Sequence, residues 1–378
     1  MNFNLNSEQQ MLQDSVRRFV EKDYSFETRT KRLKAGADSA ENWPVFAANG
    51  WLAAALPEQY DGFGGSLTET VLIAQELGRG LVLEPFLGCA VLAAQTLLAG
   101  GSSAICEQLL PQIAAGSLKL AVAYSEPQTR GFAEGIETRA EPAADGWRLS
   151  GLKTLVLGGA EADAFIVSAV VPGTQGISLF LVDASAAGLN RRIVPLHDGS
   201  RAAEIALDGV AVGADALVGE AGAGLAALQH GLAHGVAALC AEQVGGMERA
   251  IELTAEYVKV RKQFGVAIGS FQALQHRLAD MAAEMEVARS MLFALLASIE
   301  SDEPAARQHM VSQAKALVGR AARFVCGQAI QLHGGIGMTE EYSVGHYFKR
   351  AVVADLIFGS SDRHEAACAA KLRSDILS

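Results

Sequence analysis

The amino-acid sequence predicts a mainly α-helical protein with a central β domain, and three observations support this fold class. Apolar residues recur at helical spacing up to about residue 117. Short alternating or fully apolar segments, separated by Gly, Pro and Asp, occupy residues 118–222. Long apolar stripes at helical spacing return over residues 223–378. Three domains are therefore predicted: a helical domain at 1–117, a β domain at 118–222 and a helical bundle at 223–378.

The composition excludes several classes of protein. The chain has 378 residues, half of them apolar, and a net charge of -11. This acidic balance, with no Lys/Arg run to offset it, argues against a nucleic-acid partner. The five cysteines are scattered, odd in number and without a CxxC pair. We therefore expect reduced core thiols, and neither a disulfide framework nor a metal site.

The sequence also gives an expectation for location. The N-terminus has no cationic segment followed by an apolar one, and the most apolar stretch, at 89–100, is too short to span a bilayer. We expect a soluble, cytoplasmic protein with no membrane span.

Helix start and stop signals mark the first domain. Ser7 and Gln10 have the spacing of a capping box ahead of the first amphipathic helix. A glycine-rich loop at 57–66 precedes a helical pattern that begins at Leu67 and ends near Gly80. These signals predict several short helices in this domain.

The second domain contains five segments with the length and alternation of strands. Separated by turn residues, they predict a small antiparallel sheet or barrel. The segments are 118–125, 147–157, 164–171, 177–183 and 203–210.

Long helices with short links follow in the third domain. One apolar stripe ends near Arg261, a second begins at Phe271 and a third runs from Met310. Short links between long helices favour an antiparallel bundle.

Two motifs lie where these helices end. RKQFG occupies 261–265, and QLHGGIG occupies 331–337. Glycines at a helix terminus let a backbone approach a phosphate closely. The plainer interpretations are a basic helix C-terminus with Phe264 packed on a neighbour, and a C-capping glycine pair. An esterase oxyanion loop is excluded because the sequence contains no GxSxG.

These motifs, with YSEP at 124–127 and FQALQHRLADM at 271–281, resemble the acyl-CoA dehydrogenase family of flavoproteins in the same order along nearly the whole chain. The resemblance implies an N-terminal helical domain, an antiparallel β-barrel or sheet domain and a C-terminal antiparallel four-helix bundle. It implies FAD-dependent α,β-dehydrogenation of an acyl-CoA thioester in lipid catabolism. It also implies an electron-transfer flavoprotein as acceptor, and a dimer or tetramer formed with identical or related chains.

The resemblance assigns cofactor contacts at matching positions. Arg261 and Phe264 would meet the ADP portion of FAD in the neighbouring subunit. The family strand that holds the isoalloxazine ring matches YSEP, whereas the usual glycine-rich segment after it is replaced by QTRGF at 128–132. The next pair of family strands matches GLKTLVLGGAEADAF at 151–165, where Leu155 and Leu157 replace the usual aromatic and hydroxyl flavin contacts. The remaining assigned positions are Tyr124, Ser125, Leu155, Leu157, Gln331, Gly334, Gly335 and Ser361.

The family's catalytic base has no counterpart at either usual position. Matching its YEGT-like motif to FGSS places the base position on Gly359, and the alternative position falls on or beside Gly235. The backbone N–H of Gly359 still offers a donor to a thioester oxygen. His234 and Asp362 adjoin the two positions and are candidate bases. Their plainer interpretations are a core histidine and the N-cap of a terminal helix.

Four functions remain open. The preferred one is the base-lacking subunit of a heteromeric acyl-CoA dehydrogenase, because the two chain ends resemble the small subunit of the pimeloyl-CoA type. The alternatives are a self-sufficient dehydrogenase with a relocated base, and a non-catalytic binding or assembly homologue. Oxygen activation by reduced flavin is a fourth possibility that no residue singles out.

Overall fold

The computed structural model describes residues 5–36, 38–300 and 303–377. Within it the chain forms two compact units. The first consists of Met1–Ala35, Val71–Val82 and Ala237–Ser378, and the second of Gly36–Thr70 and Leu83–Val236. The domain boundaries drawn from the sequence at residues 117 and 222 stay a prediction.

The described chain is mainly helical, as the sequence predicts. A π-helical stretch, Phe86–Ala93, leads directly into α5. The α-helices are α1 (Ser7–Lys22), α2 (Phe26–Ala35), α3 (Trp43–Ala48), α4 (Leu67–Arg79), α5 (Ala94–Gly100), α6 (Ser103–Ala114), α7 (Gly224–Val260), α8 (Gln272–Ile299), α9 (Pro304–His333), α10 (Val344–Leu356) and α11 (Ser361–Leu377).

The first helix begins one residue earlier than the capping signal predicts. The Asn6 side chain accepts from the Gln9 amide, and the Gln9 side chain accepts from the Asn6 amide, at 2.8 and 3.1 Å. The assignment of the box to Ser7 and Gln10 is therefore wrong by one position. Asn caps helices as well as Ser does, so two adjacent residues offered the same signal.

The strands form one large sheet and a small hairpin. The sheet order is β6-β7-β3-β2-β4-β5-β8, with β1 paired to β4. Its pairs are antiparallel except that β1 and β2 run parallel to β4. The strands are β1 (Leu120–Ala123), β2 (Arg139–Ala143), β3 (Gly146–Leu157), β4 (Ala164–Val170), β5 (Ile177–Asp183), β6 (Leu189–Pro195), β7 (Arg201–Gly213), β8 (Leu217–Val218), β9 (Lys262–Gln263) and β10 (Val266–Ala267).

All five predicted strand segments are present, as β1, β3, β4, β5 and β7. The sequence missed β2 and β6, which are mostly exposed and therefore lack an apolar alternation. The sheet core is made by inward side chains of the longer strands, including Leu149, Phe165 and Phe180.

The long C-terminal helices of the first unit pack against one another, with α9 in contact with α8, α10 and α11. Among the described residues, one helix, Gly224–Val260, is long and apolar enough to cross a membrane by length and composition. Because 67% of its most apolar stretch is buried in the protein, a core helix accounts for this composition.

Candidate functional site

Directly after β1, Tyr124 and Ser125 are buried and tied to neighbouring backbone. The Tyr124 hydroxyl donates to the Gly131 carbonyl, and the Gly131 amide donates to Ser125 Oγ, both at 3.0 Å. The Thr154 amide donates to the Ser125 carbonyl at 2.8 Å. The amide of Ser125, a residue only 6% exposed, has no hydrogen-bond partner among the described residues. A buried amide without a partner fits a ligand acceptor such as a flavin ring.

The segment 128–132, which departs from the family pattern, folds into a closed turn. The amides of Thr129 and Arg130 both donate to the Glu126 carbonyl at 3.1 Å. The Glu126 amide donates in return to Thr129 Oγ1 at 2.9 Å. Arg130 is exposed and adopts a φ of 48°. The departure therefore gives a compact turn beside Tyr124 and Ser125.

Beneath this segment lies a buried ion pair that the sequence did not reveal. Lys153 is fully buried, and Glu126 is 3% exposed. Lys153 Nζ donates to Glu126 Oε1 at 2.7 Å and to Ser168 Oγ at 2.9 Å. The Glu126 carboxylate also accepts the Thr138 hydroxyl and amide and the Glu137 amide. The pair thus joins the residues after β1 to β3, β4 and the start of β2.

Both members of this pair are charged at neutral pH. Burial lowers the pKa of Lys153 to about 8, although Glu126 opposes the shift. Burial alone would raise the pKa of Glu126, but the Lys153 charge and the hydrogen bonds from Lys153, Thr138 and Glu137 outweigh it and lower the pKa to about 2. The available sequence signal was a lysine at an inward position of β3, four residues after buried Leu149.

Leu155 and Leu157, assigned to the flavin contacts, lie at the end of β3. The register with β7 shifts between Lys153 and Val156, and Leu155 adopts a φ of 50°. This is a β-bulge, which turns side chains away from the regular alternation. Both leucines are half-buried. The positions that the resemblance assigned to flavin contacts are therefore half-buried apolar side chains at an irregular end of β3.

The RKQFG motif follows α7 as a small hairpin. Arg261 is exposed, and its carbonyl accepts from the Ile268 amide at 2.8 Å. Phe264 is 92% exposed at the hairpin tip, with a φ of 54° and an edge contact to Phe271 at 6.2 Å between ring centroids. Within its own chain, the Phe264 ring is therefore only slightly covered. A nearly fully exposed aromatic ring is suited to contact another molecule.

The QLHGGIG motif ends α9. Gln331 is exposed, and Gly334 is the C-cap with a φ of 64°. A side chain at Gly335 would meet no described atom within 4 Å, whereas one at Gly337 would meet His333 and Ile330 at 3.0 Å. Packing within the chain accounts for Gly337 and capping accounts for Gly334. The open space at Gly335 fits the close approach of a phosphate-bearing cofactor.

Ring stacking brings the two motifs to the same end of the helices. Tyr257, one turn before Arg261, stacks on His333 with ring centroids 4.4 Å apart. His333 Nδ1–H donates to the Ala329 carbonyl at 2.8 Å, and burial lowers the pKa of His333. Its Nε2 is buried without a hydrogen-bond partner among the described residues. This buried ring nitrogen close to the glycines was not predicted.

Gly235 is buried within α7, and the neighbouring His234 is half-buried. His234 Nδ1–H donates to the His230 carbonyl at 3.0 Å, which places the lone pair of neutral His234 on Nε2. Its ring lies 4.3 Å from that of His230, whose Nε2 is 3.3 Å from Gln95 Oε1.

Gly359, the other position that the resemblance assigned to the base, lies in a buried turn between α10 and α11. Its φ is 97°, and its amide reaches the Leu356 carbonyl at 3.4 Å. Lys315, 2% exposed, donates to the Gly359 carbonyl at 2.9 Å and to the Asp355 carbonyl at 3.0 Å. Burial lowers the pKa of Lys315 to about 8, against the nearby charge of Asp355. The sequence analysis did not identify Lys315, whose signal was a cation on the buried face of α9.

The carboxylates near this turn have other partners. Asp355 Oδ1 accepts the amide and the hydroxyl of Ser361, and Arg323 lies 3.6 Å from Oδ2. Ser361 is thus buried in a structural network at the start of α11. The Asp362 side chain is 92% exposed and lies 3.6 Å from Arg320. Because α11 begins at Ser361, Asp362 lies in its first turn, and the expectation that it caps the helix is wrong.

The chain matches three parts of one protein family. These are the acyl-CoA dehydrogenase N-terminal domain over residues 6–117, the middle domain over 121–210 and the C-terminal domain over 222–372. A Bacillus subtilis (strain 168) protein named "Probable acyl-CoA dehydrogenase YngJ" is 30% identical over 383 residues, covering 98% of this chain and 100% of that protein.

Solved structures agree with this family. Butyryl-CoA dehydrogenase from Megasphaera elsdenii has a TM-score of 0.91 and 27% identity, covering 98% of this chain and 100% of that one. A chain of the ChsE4-ChsE5 complex from Mycobacterium tuberculosis has a TM-score of 0.90 and 27% identity, covering 99% of both chains. A chain in the FAD complex of PigA has a TM-score of 0.88 and 27% identity, covering 98% and 99%. The predicted fold class is confirmed. The chain belongs to the acyl-CoA dehydrogenase family and is an oxidoreductase with FAD as its cofactor.

Proposed function

We propose that this chain is the base-lacking subunit of a heteromeric, cytoplasmic acyl-CoA dehydrogenase that passes electrons to an electron-transfer flavoprotein. One observation carries the proposal: by the resemblance, one usual base position falls on Gly359 and the other on or beside Gly235, and the nearby carboxylates are unsuited to replace the base. Asp362 is 92% exposed, and Asp355 accepts two hydrogen bonds from Ser361. A base must reach the proton it removes, so a partner chain would supply the carboxylate.

The relatives include proteins that work as complexes. The M. tuberculosis structure contains two different chains, ChsE4 and ChsE5. An Acetobacterium woodii relative, 28% identical over 360 residues, is named as a subunit of a caffeyl-CoA reductase-Etf complex. These names support assembly with a related chain and contact with an electron-transfer flavoprotein.

Different described residues would bind the flavin ring, the ADP portion of FAD and the substrate thioester. The Ser125 amide and the Tyr124–Ser125 segment would contact the flavin ring, with Leu155 and Leu157 supplying apolar surface. The hairpin with Arg261 and Phe264, and the α9 end with Gln331, Gly334 and Gly335, would bind the ADP portion across a subunit contact. When bound, FAD supplies the hydride acceptor. The turn at Gly359 would hold the thioester oxygen, where negative charge develops as the α-proton leaves.

A reconstitution experiment tests the proposal. The purified, FAD-loaded chain is expected to show little acyl-CoA-dependent dye reduction. Activity should return when a related chain with a carboxylate at either base position is added. The same partner with that carboxylate changed to the amide is the control and should restore nothing. Full turnover by the chain alone would contradict the proposal, and a protein that takes up no flavin would favour a non-catalytic assembly role.

The geometry of His234 favours a second candidate, a self-sufficient dehydrogenase. Its Nδ1–H donation to His230 fixes the neutral tautomer with a basic Nε2, the form a general base needs. On this hypothesis His234→Ala abolishes turnover by the isolated chain, whereas His276→Ala, at an exposed position on α8, leaves it unchanged.

A further inference from the structure

The turn Phe358–Ser360, between α10 and α11, has an unusual backbone. Phe358 and Gly359 adopt successive φ values of 62° and 97°. Phe358 is only 5% exposed. A bulky residue rarely takes a left-handed conformation, and it does so where surrounding contacts determine the backbone. The contacts that determine this turn are therefore informative about its role.

Two buried side chains donate hydrogen bonds to carbonyl groups at this turn. Lys315 donates to the carbonyls of Asp355 and Gly359 at 3.0 and 2.9 Å. His364 Nε2–H donates to the Phe358 carbonyl at 2.9 Å, and its Nδ1 accepts from the Ser312 hydroxyl at 3.1 Å. Both donors are nearly inaccessible, with Lys315 2% and His364 4% exposed.

The same hydrogen bonds set the direction of the amides that follow these carbonyls. In a trans peptide the N–H of one residue points away from the C=O of the residue before it. Since the carbonyls of Phe358 and Gly359 face His364 and Lys315, the amides of Gly359 and Ser360 face away from them. Among the described residues, the Phe358 and Ser360 amides have no hydrogen-bond partner, and that of Gly359 has one at 3.4 Å.

We propose that Lys315 and His364 are positioning residues that present the amides of Gly359 and Ser360 to the thioester carbonyl oxygen of the substrate. The inference rests on the proposed function, which places the acyl thioester at this turn. Neither side chain touches the substrate in this account; each acts through a carbonyl of the turn. The device works without a carboxylate, so this chain retains a thioester-holding turn where the base is missing.

The test compares ligands with and without the carbonyl oxygen. The FAD-loaded full chain is titrated calorimetrically with butyryl-, octanoyl- and palmitoyl-CoA, and with the S-alkyl-CoA thioethers of the same lengths. We expect the wild type to bind the best thioester about 10-fold more tightly than its thioether, the effect of one net hydrogen bond. Lys315→Met should reduce this ratio to about 2-fold or less by the same reasoning. Lys371→Met, at an exposed site on α11, should keep it.

A second pair of variants covers the case in which Lys315→Met does not fold. His364→Leu removes the donor to the Phe358 carbonyl and should lower the thioester preference, whereas His364→Gln keeps an N–H donor and should retain it. A merely structural role would change the binding of both ligands equally.

Two results would overturn the inference: a wild type without thioester preference, or a full preference in both Lys315→Met and His364→Leu. FAD content and partner-dependent dye reduction are measured on the same preparations. Wild-type protein that binds FAD and shows partner-dependent dye reduction, but binds thioesters and thioethers equally well, contradicts only this inference. Protein without FAD contradicts the proposed function itself.

Discussion

Two lysines are buried among the described residues, and they are stabilised in different ways. Lys153, in the sheet, contacts a carboxylate at 2.7 Å, whereas Lys315, in the helical unit, contacts two backbone carbonyls at 3.0 and 2.9 Å. Burial lowers the pKa of each to about 8. We call Lys153 with Glu126 the sheet cluster, and Lys315 and His364 with the Phe358–Ser360 turn the bundle cluster. In the sheet cluster a carboxylate stabilises the lysine charge. In the bundle cluster the dipoles of backbone carbonyls stabilise it. The first joins strands, while the second fixes the course of one turn.

The largest expected effect is the loss of the charge in the sheet. Lys153→Met leaves Glu126 buried without its cation, and breaking a buried pair typically costs about 3–5 kcal/mol of unfolding free energy. Urea denaturation would measure the loss. Arg148→Met, at an exposed position on the same strand, is the matched control and should change little.

The double variant Lys153→Met with Glu126→Gln sharpens this prediction. Removing both charges avoids an unpaired buried carboxylate, so much of the lost stability should return. A double variant as unstable as Lys153→Met would show that packing, rather than charge, explains the effect.

Acid should affect the bundle cluster before the sheet cluster. Burial lowers the pKa of His364 from 6.5 to about 4, so the unfolded chain binds more protons between these values. Stability is therefore lost as pH falls from 6.5 to 4, by about 3 kcal/mol at most for this group. The lowered pKa of Glu126, about 2, places the corresponding loss in the sheet between pH 4.5 and 2.

Unfolding free energies of the wild type and His364→Gln between pH 7 and 4 would test the order. Glutamine keeps a donor for the Phe358 carbonyl but does not titrate, so its curve should be flatter. Some slope will remain because burial also lowers the pKa values of His333 and His346. Parallel curves of unfolding free energy against pH for the two proteins would show that His364 does not cause the loss of stability in acid.

The smallest expected effect on stability is that of Lys315→Met. This change removes donors from two carbonyls but leaves no unpaired charge in contact with them, so we expect a loss of about 1–2 kcal/mol. Thermal or urea unfolding beside Lys153→Met gives the comparison directly. A loss as large as that of Lys153→Met would mean that the nearby Asp355 carboxylate acts as a full counter-ion, and the contrast between the two clusters would fail.

Local patterns were sufficient where a signal depends on neighbours in the chain. The stripe ending near Arg261 became α7, and the alternation at 177–183 became β5 with the same bounds. They failed where the deciding contact is remote or the segment is exposed. The apolar residue Phe324 on α9 is 40% exposed, whereas Lys315 on the same helix is 2% exposed. A lysine whose hydrogen-bond partners are carbonyls distant in the sequence cannot be recognised from its neighbours in the chain.

The sequence by itself determined the order of helical and β regions and the family. It also determined that no carboxylate stands at the positions that the resemblance assigns to the catalytic base. These depend on periodicity and on motifs that are contiguous in the chain. Only the tertiary structure decided that Lys153 meets Glu126, 27 residues away, and that Lys315 meets Gly359, 44 residues away. The physical reason is that burial and hydrogen bonding between distant residues depend on how whole elements pack, which no local pattern encodes.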